Sequence, residues 1–261
     1  KHVLLFPRDP GEAFEFGAEA FNLSDRLQTP VFVMLDLDIG MNSSLVAPFR
    51  VPERPLDRGK VMTHDRLEAG EDFGRYLDVD GDGIPYRTYP GVHPSRGSYF
   101  TRGTTRDRYA RYTEEGGPYL DNMQRLLRKF DTARAVVPPP EVKAAARPAR
   151  HGVLYYGSTA AAMDEAVHHL AGEGIHLDEC RVRAFPFADE VVAFIEAHDE
   201  VFVVEQNRDA QLRSLLLIEH GLDPRKLTSI LHYDGSPITA RFIVSAIADR
   251  LAPAVKKEKV A

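Results

Sequence analysis

The sequence predicts an α/β protein that ends in a doubly wound parallel sheet. Three observations carry this. From residue 153 onward four short apolar runs each lead into a stretch with helical spacing, the signature of repeated β-α units. The opening residues read β-α-β by the same criterion. Between these regions lies a stretch of another character, dense in proline and glycine and poor in helical pattern.

The first strand is 2-HVLLF-6, ended by Pro7. Asp9 supplies an N-cap and Pro10 a first-turn residue for a helix over 12–27, with Phe14, Ala18, Phe21 and Leu23 on its apolar face. Thr29-Pro30 stops it. The run 31-VFVMLDLD-38 predicts a buried strand of a parallel sheet covered on both faces. Its carboxyl end carries Asp36, Asp38, Met41 and Asn42, at the edge where open α/β sheets gather ligands. Capping of local backbone by Asp36 or Asp38 is the alternative.

Residues 43–135 form an irregular segment, and such length without regular structure is usually functional or wraps another surface. Within it, 78-DVDGDG-83 begins like a calcium loop. An EF-hand needs a bidentate Glu at its twelfth position, where this chain has Tyr89, and Pro85 breaks the loop before any helix. That leaves an Asp-rich turn, or a looser cation site on Asp78, Asp80 and Asp82. The segment 86–115 carries six arginines, several tyrosines and His93. A polyanion site and a wet subunit interface both use such residues, and the interface reading is preferred. A helix over 119–137 is expected to bury Met123, Leu126, Leu127 and Phe130.

The linker 138-PPPEVKAAARPAR-150 is stiffened by its prolines. After it come strand 153–156, helix 160–174, strand 181–185, helix 188–198, strand 200–205, helix 208–221, strand 227–232 and helix 237–251, the last capped by Ser236 with Pro237 in its first turn. Gly157-Ser158-Thr159 joins the first strand and helix of this series; helix capping is preferred there over anion binding. Glu205, Gln206 and Asn207 sit at a strand's carboxyl end and make the strongest local site signal of this region. No G-x-G-x-x-G, i, i+4 metal pair of histidines or Ser-His-Asp spacing is present.

A net charge of −6 over 261 residues argues against nucleic acid as a partner. No apolar run approaches the ~20 residues that cross a bilayer, so no membrane partner is expected. The single cysteine, Cys180, excludes a disulfide framework or an iron–sulfur cluster held by this chain alone. A reducing, cytoplasmic setting and a buried, inert thiol are expected. The chain does not begin with Met, which suggests a piece of a longer polypeptide, and 253–261 reads as a solvated tail.

Five segments taken in order, 31-VFVMLDLDIGMN-42, 75-RYLDVDGDGIPYRTYPG-91, 99-YFTRGTTRDRYARYTE-114, 153-VLYYGSTAAAMDEA-166 and 203-VVEQNRDAQL-212, resemble the carboxyl-terminal part of alpha subunits of 2-oxoacid:ferredoxin oxidoreductases, most closely the 2-oxoglutarate type. The resemblance implies the end of a thiamine-pyrimidine-type α/β domain over 1–50 and an irregular adaptor with a terminal helix over 51–137. A linker over 138–151 and a transketolase carboxyl-terminal-like α/β domain over 152–252 would follow. It implies oxidative decarboxylation of a 2-oxoacid to acyl-coenzyme A, or the reverse, with thiamine diphosphate, Mg²⁺ and [4Fe-4S] clusters held mainly by a beta subunit. Beta subunit, upstream alpha segment, ferredoxin, coenzyme A and 2-oxoacid are the implied partners of a cytoplasmic heterotetramer.

The family's substrate and pyrimidine contacts lie upstream of Lys1, so no catalytic residue is assigned here. The residues expected to face the cofactor and substrate cleft between the alpha and beta subunits are Asp38, Met41, Asn42, Gly157, Ser158, Glu205, Gln206 and Asn207. The resemblance favours an ordered turn at DVDGDG, with a structural cation on Asp78, Asp80 and Asp82 as the alternative. A non-catalytic assembly module and a part of a ferredoxin-independent thiamine enzyme are the competing functions.

Overall fold

The computed structural model describes residues 1–51, 53 and 55–251; the expected tail over 253–261 lies outside the described residues. The chain divides into two compact units. One comprises Lys1–Leu4, Gly17–Phe32 and Arg50–Val137, and the other Leu5–Phe16, Val33–Phe49 and Pro138–Ala261.

The second unit holds the predicted α/β sheet. Strands β3 (Glu141–Lys143), β4 (His151–Tyr156), β5 (Leu177–Val182), β7 (Glu200–Glu205) and β8 (Leu227–Leu231) lie in the order β3-β5-β4-β7-β8. Four of them are parallel, in a register that sets Leu154 beside Cys180 and Val203, and Val203 beside Ser229. β3 is an antiparallel edge strand formed inside the proline-rich stretch read as a linker. Helices α5 (Thr159–Gly172) and α8 (Ala240–Leu251) cover one face and bury Met163, Ala166, Leu170, Ile243 and Ile247 against Val153, Tyr155, Phe202 and Val204. On the other face α6 (Asp189–Ala197) comes so close that a Cβ on Gly152 would stand 2.7 Å from the Phe194 ring. α7 (Gln211–His220) completes the layers.

Cys180 is fully buried, and burial pushes its thiol up to about 12. This matches the expected inert role.

Several expected elements change. The opening strand is β1 (Val3–Leu5), and the eight-residue buried strand expected at 31–38 is replaced by the three-residue β2 (Val31–Val33). Met34, Leu35 and Leu37 are exposed, because Asp36 accepts the Ile39 N–H at 3.1 Å and starts helix α2 (Leu37–Gly40). The expected strand 181–185 is parted at Arg183 into the end of β5 and the two-residue β6 (Ala184–Phe185). Helix α8 starts at Ala240, where the Thr239 hydroxyl accepts the Phe242 N–H at 3.2 Å; Ser236 instead donates its hydroxyl to Asp234.

Helix α1 (Pro10–Leu27) keeps the Asp9 cap, through a 2.8 Å bond from Glu12 N–H, but presents a different face. Leu23 is buried as expected, but Phe16 and Leu27 are buried with it and Phe21 is exposed. Glu12 is buried because its carboxylate takes both guanidinium branches of Arg181 at 2.8 Å and Arg183 Nε at 2.8 Å. This ion pair, rather than the apolar spacing, sets the rotation of the helix start.

Beyond its share of α1, β1 and β2, the first unit holds, among the described residues of 50–137, the helices α3 (His64–Glu68) and α4 (Gly116–Arg134) in an otherwise irregular segment. α4 is rotated from the expected face, with Leu126 and Phe130 half-buried. Asn122, Arg125, Lys129 and Ala133 are buried, whereas Met123 and Leu127 are exposed. The irregular segment supplies the reason, since its carbonyls need donors. Arg125 donates to Gly83 O at 3.0 Å, Thr132 to Asp82 O at 2.7 Å and Lys129 to Gln28 O at 3.2 Å. Gly83 (φ +78) meets α4 so closely that a Cβ would stand 2.4 Å from Lys129 N.

Candidate functional site

The carboxyl ends of β4, β7 and β8 open into one cleft of about 550 Å³, within the range of small-molecule sites. Every lining residue belongs to the second unit. After Tyr156 the chain turns through Gly157 (φ +61) into α5, which leaves Ser158 and Thr159 at the cleft floor. Gln206 follows β7, and His232 and Tyr233 follow β8. The segment Met34–Ile39 makes the facing wall.

A hydrogen-bond chain ties these together. Gln206 Nε2 donates to Ser158 Oγ at 2.9 Å and to Thr159 Oγ1 at 3.2 Å. The Ser158 hydroxyl donates to Asp36, whose other oxygen caps α2. One polar side chain thus fixes the loop after β4 and, through Ser158, the wall that carries Asp36. Burial pushes the Tyr156 hydroxyl up, and the Glu205 charge adds to this while a bond with Asn207 opposes it.

Of the residues expected to face the cleft between the subunits, Asp38, Gly157, Ser158 and Gln206 line this pocket of the chain. Met41 and Asn42 are exposed and are not among its lining residues. Glu205 is fully buried and serves the backbone: it accepts Leu212 N–H at 2.7 Å, Arg213 N–H at 3.0 Å and Asn207 Nδ2 at 2.8 Å. Asn207 in turn accepts the N–H groups of Asp209 and Gln211 at 3.1 and 3.2 Å. These two residues cap α7 and close its turn. Sequence reasoning missed His232 and Tyr233, and it named Thr159 only as part of the Gly157-Ser158-Thr159 turn. The signal for the first two was available, since 232-HYDGSP-237 follows a core strand as 205-EQN-207 does.

The aspartates of DVDGDG are engaged within the chain. Lys60 Nζ donates to Asp80 at 2.6 Å and to Asp82 at 2.8 Å. Asp78 accepts Gly83 N–H at 3.0 Å and pairs with Arg128 at 3.1 Å. Burial alone would lower the Lys60 ammonium, but bonds to the two carboxylates outweigh it and hold it above its usual range. An internal cation stands where a bound one was entertained. Several arginines of 86–115 are likewise spent locally: Arg87 on Asp25, Arg96 on Leu67 O, Arg106 on Tyr76 and Arg108 on Asp121.

One further group has metal-like proximity. His64, Glu68 and His93 bring ligating atoms within 4.8 Å of one another. Yet His93 Nδ1 accepts the Ser95 and Arg96 N–H groups at 3.1 and 2.9 Å, so the ring proton sits on Nε2 and is donated to Glu68 at 2.8 Å. Ligation through Nε2 would force that proton onto Nδ1, against two N–H groups. The trio is a clamp on loop 88–98.

No helix of the described residues is long and apolar enough to cross a membrane. No protein-family model matches the chain. Among known proteins it is similar to the alpha subunit of 2-oxoacid:ferredoxin oxidoreductase 2 from Aeropyrum pernix, 30% identical over 253 residues, or 94% of this chain and 37% of the relative. It is also similar to a 2-oxoacid:ferredoxin oxidoreductase alpha subunit from Saccharolobus solfataricus, 23% identical over 90% of this chain and 37% of the relative. The chain therefore spans little more than a third of the length of the curated relatives it matches.

Among solved structures, 2-oxoglutarate:ferredoxin oxidoreductase from Magnetococcus marinus, with 2-oxoglutarate, coenzyme A and succinyl-CoA bound, shares the fold. Its TM-score is 0.80 at 20% identity, over 95% of this chain and 42% of that one. Segments quoted from the sequence, the α/β fold and a match along nearly the whole chain agree: this chain belongs to the family of alpha subunits of 2-oxoacid:ferredoxin oxidoreductases.

Proposed function

We propose that the chain is part of the alpha subunit of a thiamine diphosphate-dependent 2-oxoacid:ferredoxin oxidoreductase that acts on 2-oxoglutarate. In the forward direction the 2-oxoacid loses its carboxyl group as CO₂. Two electrons pass through iron–sulfur clusters to ferredoxin, and the acyl group passes to the thiol of coenzyme A. The observation that carries this reading is the match to alpha subunits over 94% of the chain.

This cleft does not fit the diphosphate, and one cysteine does not fit a cluster. The cleft lining includes the carboxylates of Asp36 and Asp38 and no lysine or arginine, and the lone cysteine is buried. Those groups are assigned to the beta subunit, and no step is derived through them. The role proposed for this chain is to complete the active-site surface from one side. Gln206 holds Ser158 and Thr159 in place, and Asp38 stands at the cleft.

The test is dye reduction by the native complex, with 2-oxoglutarate and pyruvate side by side, with and without coenzyme A. Coenzyme A-dependent reduction with 2-oxoglutarate is expected. Preference for pyruvate would overturn the substrate, and no reduction from a complex with intact clusters and thiamine would overturn the enzyme reading. A Gln206→Ala complex is expected to lose at least about tenfold in turnover, the scale of a misplaced active-site wall.

A second reading, assembly, is favoured by the exposed outer face of α4, where Tyr119, Leu120, Met123 and Leu127 form an apolar stripe. It would gain if a complex lacking residues 152–261 kept full activity.

A further inference from the structure

Resting on the functional reading above, we infer that the cleft receives an uncharged, amphipathic part of its ligand and turns anionic groups away, with Asp38 the residue that sets this preference. One wall of the cleft is apolar, with Met34, Leu35, Leu37 and Ile39, and the floor carries hydroxyl and amide groups from Ser158, Thr159 and Gln206. That combination suits a chain that alternates methylenes with amides or hydroxyls.

The charge of the lining is one-sided. Asp36 and Asp38 line the cleft, and no lysine or arginine does so among the described residues. The two carboxylates differ. Asp36 is committed to the Ile39 N–H and the Ser158 hydroxyl. Asp38 is half-buried and forms no side-chain hydrogen bond or ion pair among the described residues. A ligand carboxylate or phosphate within about 6 Å of Asp38 would meet repulsion worth roughly ten- to a hundredfold in affinity in a partly screened cleft.

The amino end of α5 is the feature that would draw an anion in. Two of its first-turn N–H groups are turned inward: Ala160 N–H donates to Gly157 O at 3.2 Å and Ala161 N–H to Ser158 O at 3.4 Å. This leaves the cleft with less to offer an anion than the start of an open helix would, and with the Asp38 charge against it.

The experiment uses the native complex carrying Asp38→Asn or Asp38→Lys. The kcat/KM ratio for 2-oxoglutarate over 2-oxovalerate, an uncharged-tail acid of similar length, is measured at 50 and 500 mM salt. Isothermal titration with glutarate and with pantetheine runs beside it. If the inference holds, the ratio shifts about fivefold or more towards the dicarboxylate in Asp38→Lys and less in Asp38→Asn. Glutarate binding tightens similarly, pantetheine binding moves less than twofold, and the shifts shrink at high salt. A ratio and a glutarate affinity that both move less than twofold would overturn the inference, as would pantetheine failing to bind the unmodified complex. If the unmodified complex turns over no 2-oxoacid, the functional reading falls, and the titrations alone decide the inference.

Discussion

Replacing Arg181 with methionine should be among the most destabilising substitutions in the chain. Arg181 is 1% exposed and Glu12 8%. The guanidinium makes four short contacts: two at 2.8 Å to Glu12, and two at 3.0 and 2.7 Å to Glu141. Methionine fills much of the volume but leaves Glu12 with Arg183 and the Arg8 N–H alone. Removing one partner of a buried pair costs about 3–5 kcal/mol, because the other charge stays desolvated. For a chain of this size that lowers the thermal midpoint by roughly 6 °C or more.

The assay is urea unfolding followed by circular dichroism, reading the midpoint shift at constant m. A double-mutant cycle with Glu12→Gln should give a coupling of about 2 kcal/mol or more. The acid limb gives an independent reading. Burial raises the Glu12 carboxyl, but bonds from Arg181, the Arg181 charge, the Arg8 N–H and Arg183 outweigh it and hold it below its usual range. Arg181 does the same for Glu141. Groups held low when folded stabilise the fold above their unfolded value near 4.5, and that stability is lost as pH falls through the lowered folded values. Wild type should therefore lose stability below about pH 4.5 more steeply than Arg181→Met. A cost below about 1 kcal/mol, or parallel acid limbs, would refute the reasoning.

Three other outcomes follow from the first unit. Gly83→Ala should cost about 2 kcal/mol or more, since its Cβ would strike Lys129 N and Arg125 O, whereas Gly81→Ala, at the same φ of +78 with open space around it, should cost about 1 kcal/mol; paired denaturation curves decide this. Burial, aided by the charges of Arg125 and Arg75, lowers Lys129 from 10.5 to about 8, so between those values the unfolded chain holds a proton that the folded chain lacks. Stability of wild type relative to Lys129→Met should rise over that window, by up to about 3 kcal/mol, and a flat difference would contradict it. Metal removal should leave the thermal midpoint unchanged, because Lys60 and Arg128 already neutralise Asp78, Asp80 and Asp82; a midpoint that falls with chelator and returns with Ca²⁺ would show a bound cation instead.

The parts that could be read before folding were those set by local pattern. Strand β7 was read at its observed bounds, and β4 and β8 to within two residues. A parallel sheet covered on both faces needs continuous apolar runs, and those runs are visible one at a time. The ends of these strands also named Asp38, Gly157, Ser158 and Gln206 as neighbours of one edge. The same reasoning placed Met41 and Asn42 there too, because it assumed that the strand ran to residue 38; the Asp36 cap ended that assumption.

Composition and local pattern determined the α/β class, the order of its units, the inert burial of Cys180 and the irregular nature of the middle segment. Only the tertiary structure decided which helix faces are buried and which polar groups meet. Arg181 reaches Glu12 across 169 residues, and Ser158 reaches Asp36 across 122. Apolar spacing put Met123 and Leu127 inside, yet α4 buries Arg125 and Lys129 instead, because the carbonyls of a segment without regular pairing had to find donors. Periodicity reports what a helix offers to an apolar neighbour; it carries no record of a neighbour whose need is for hydrogen bonds.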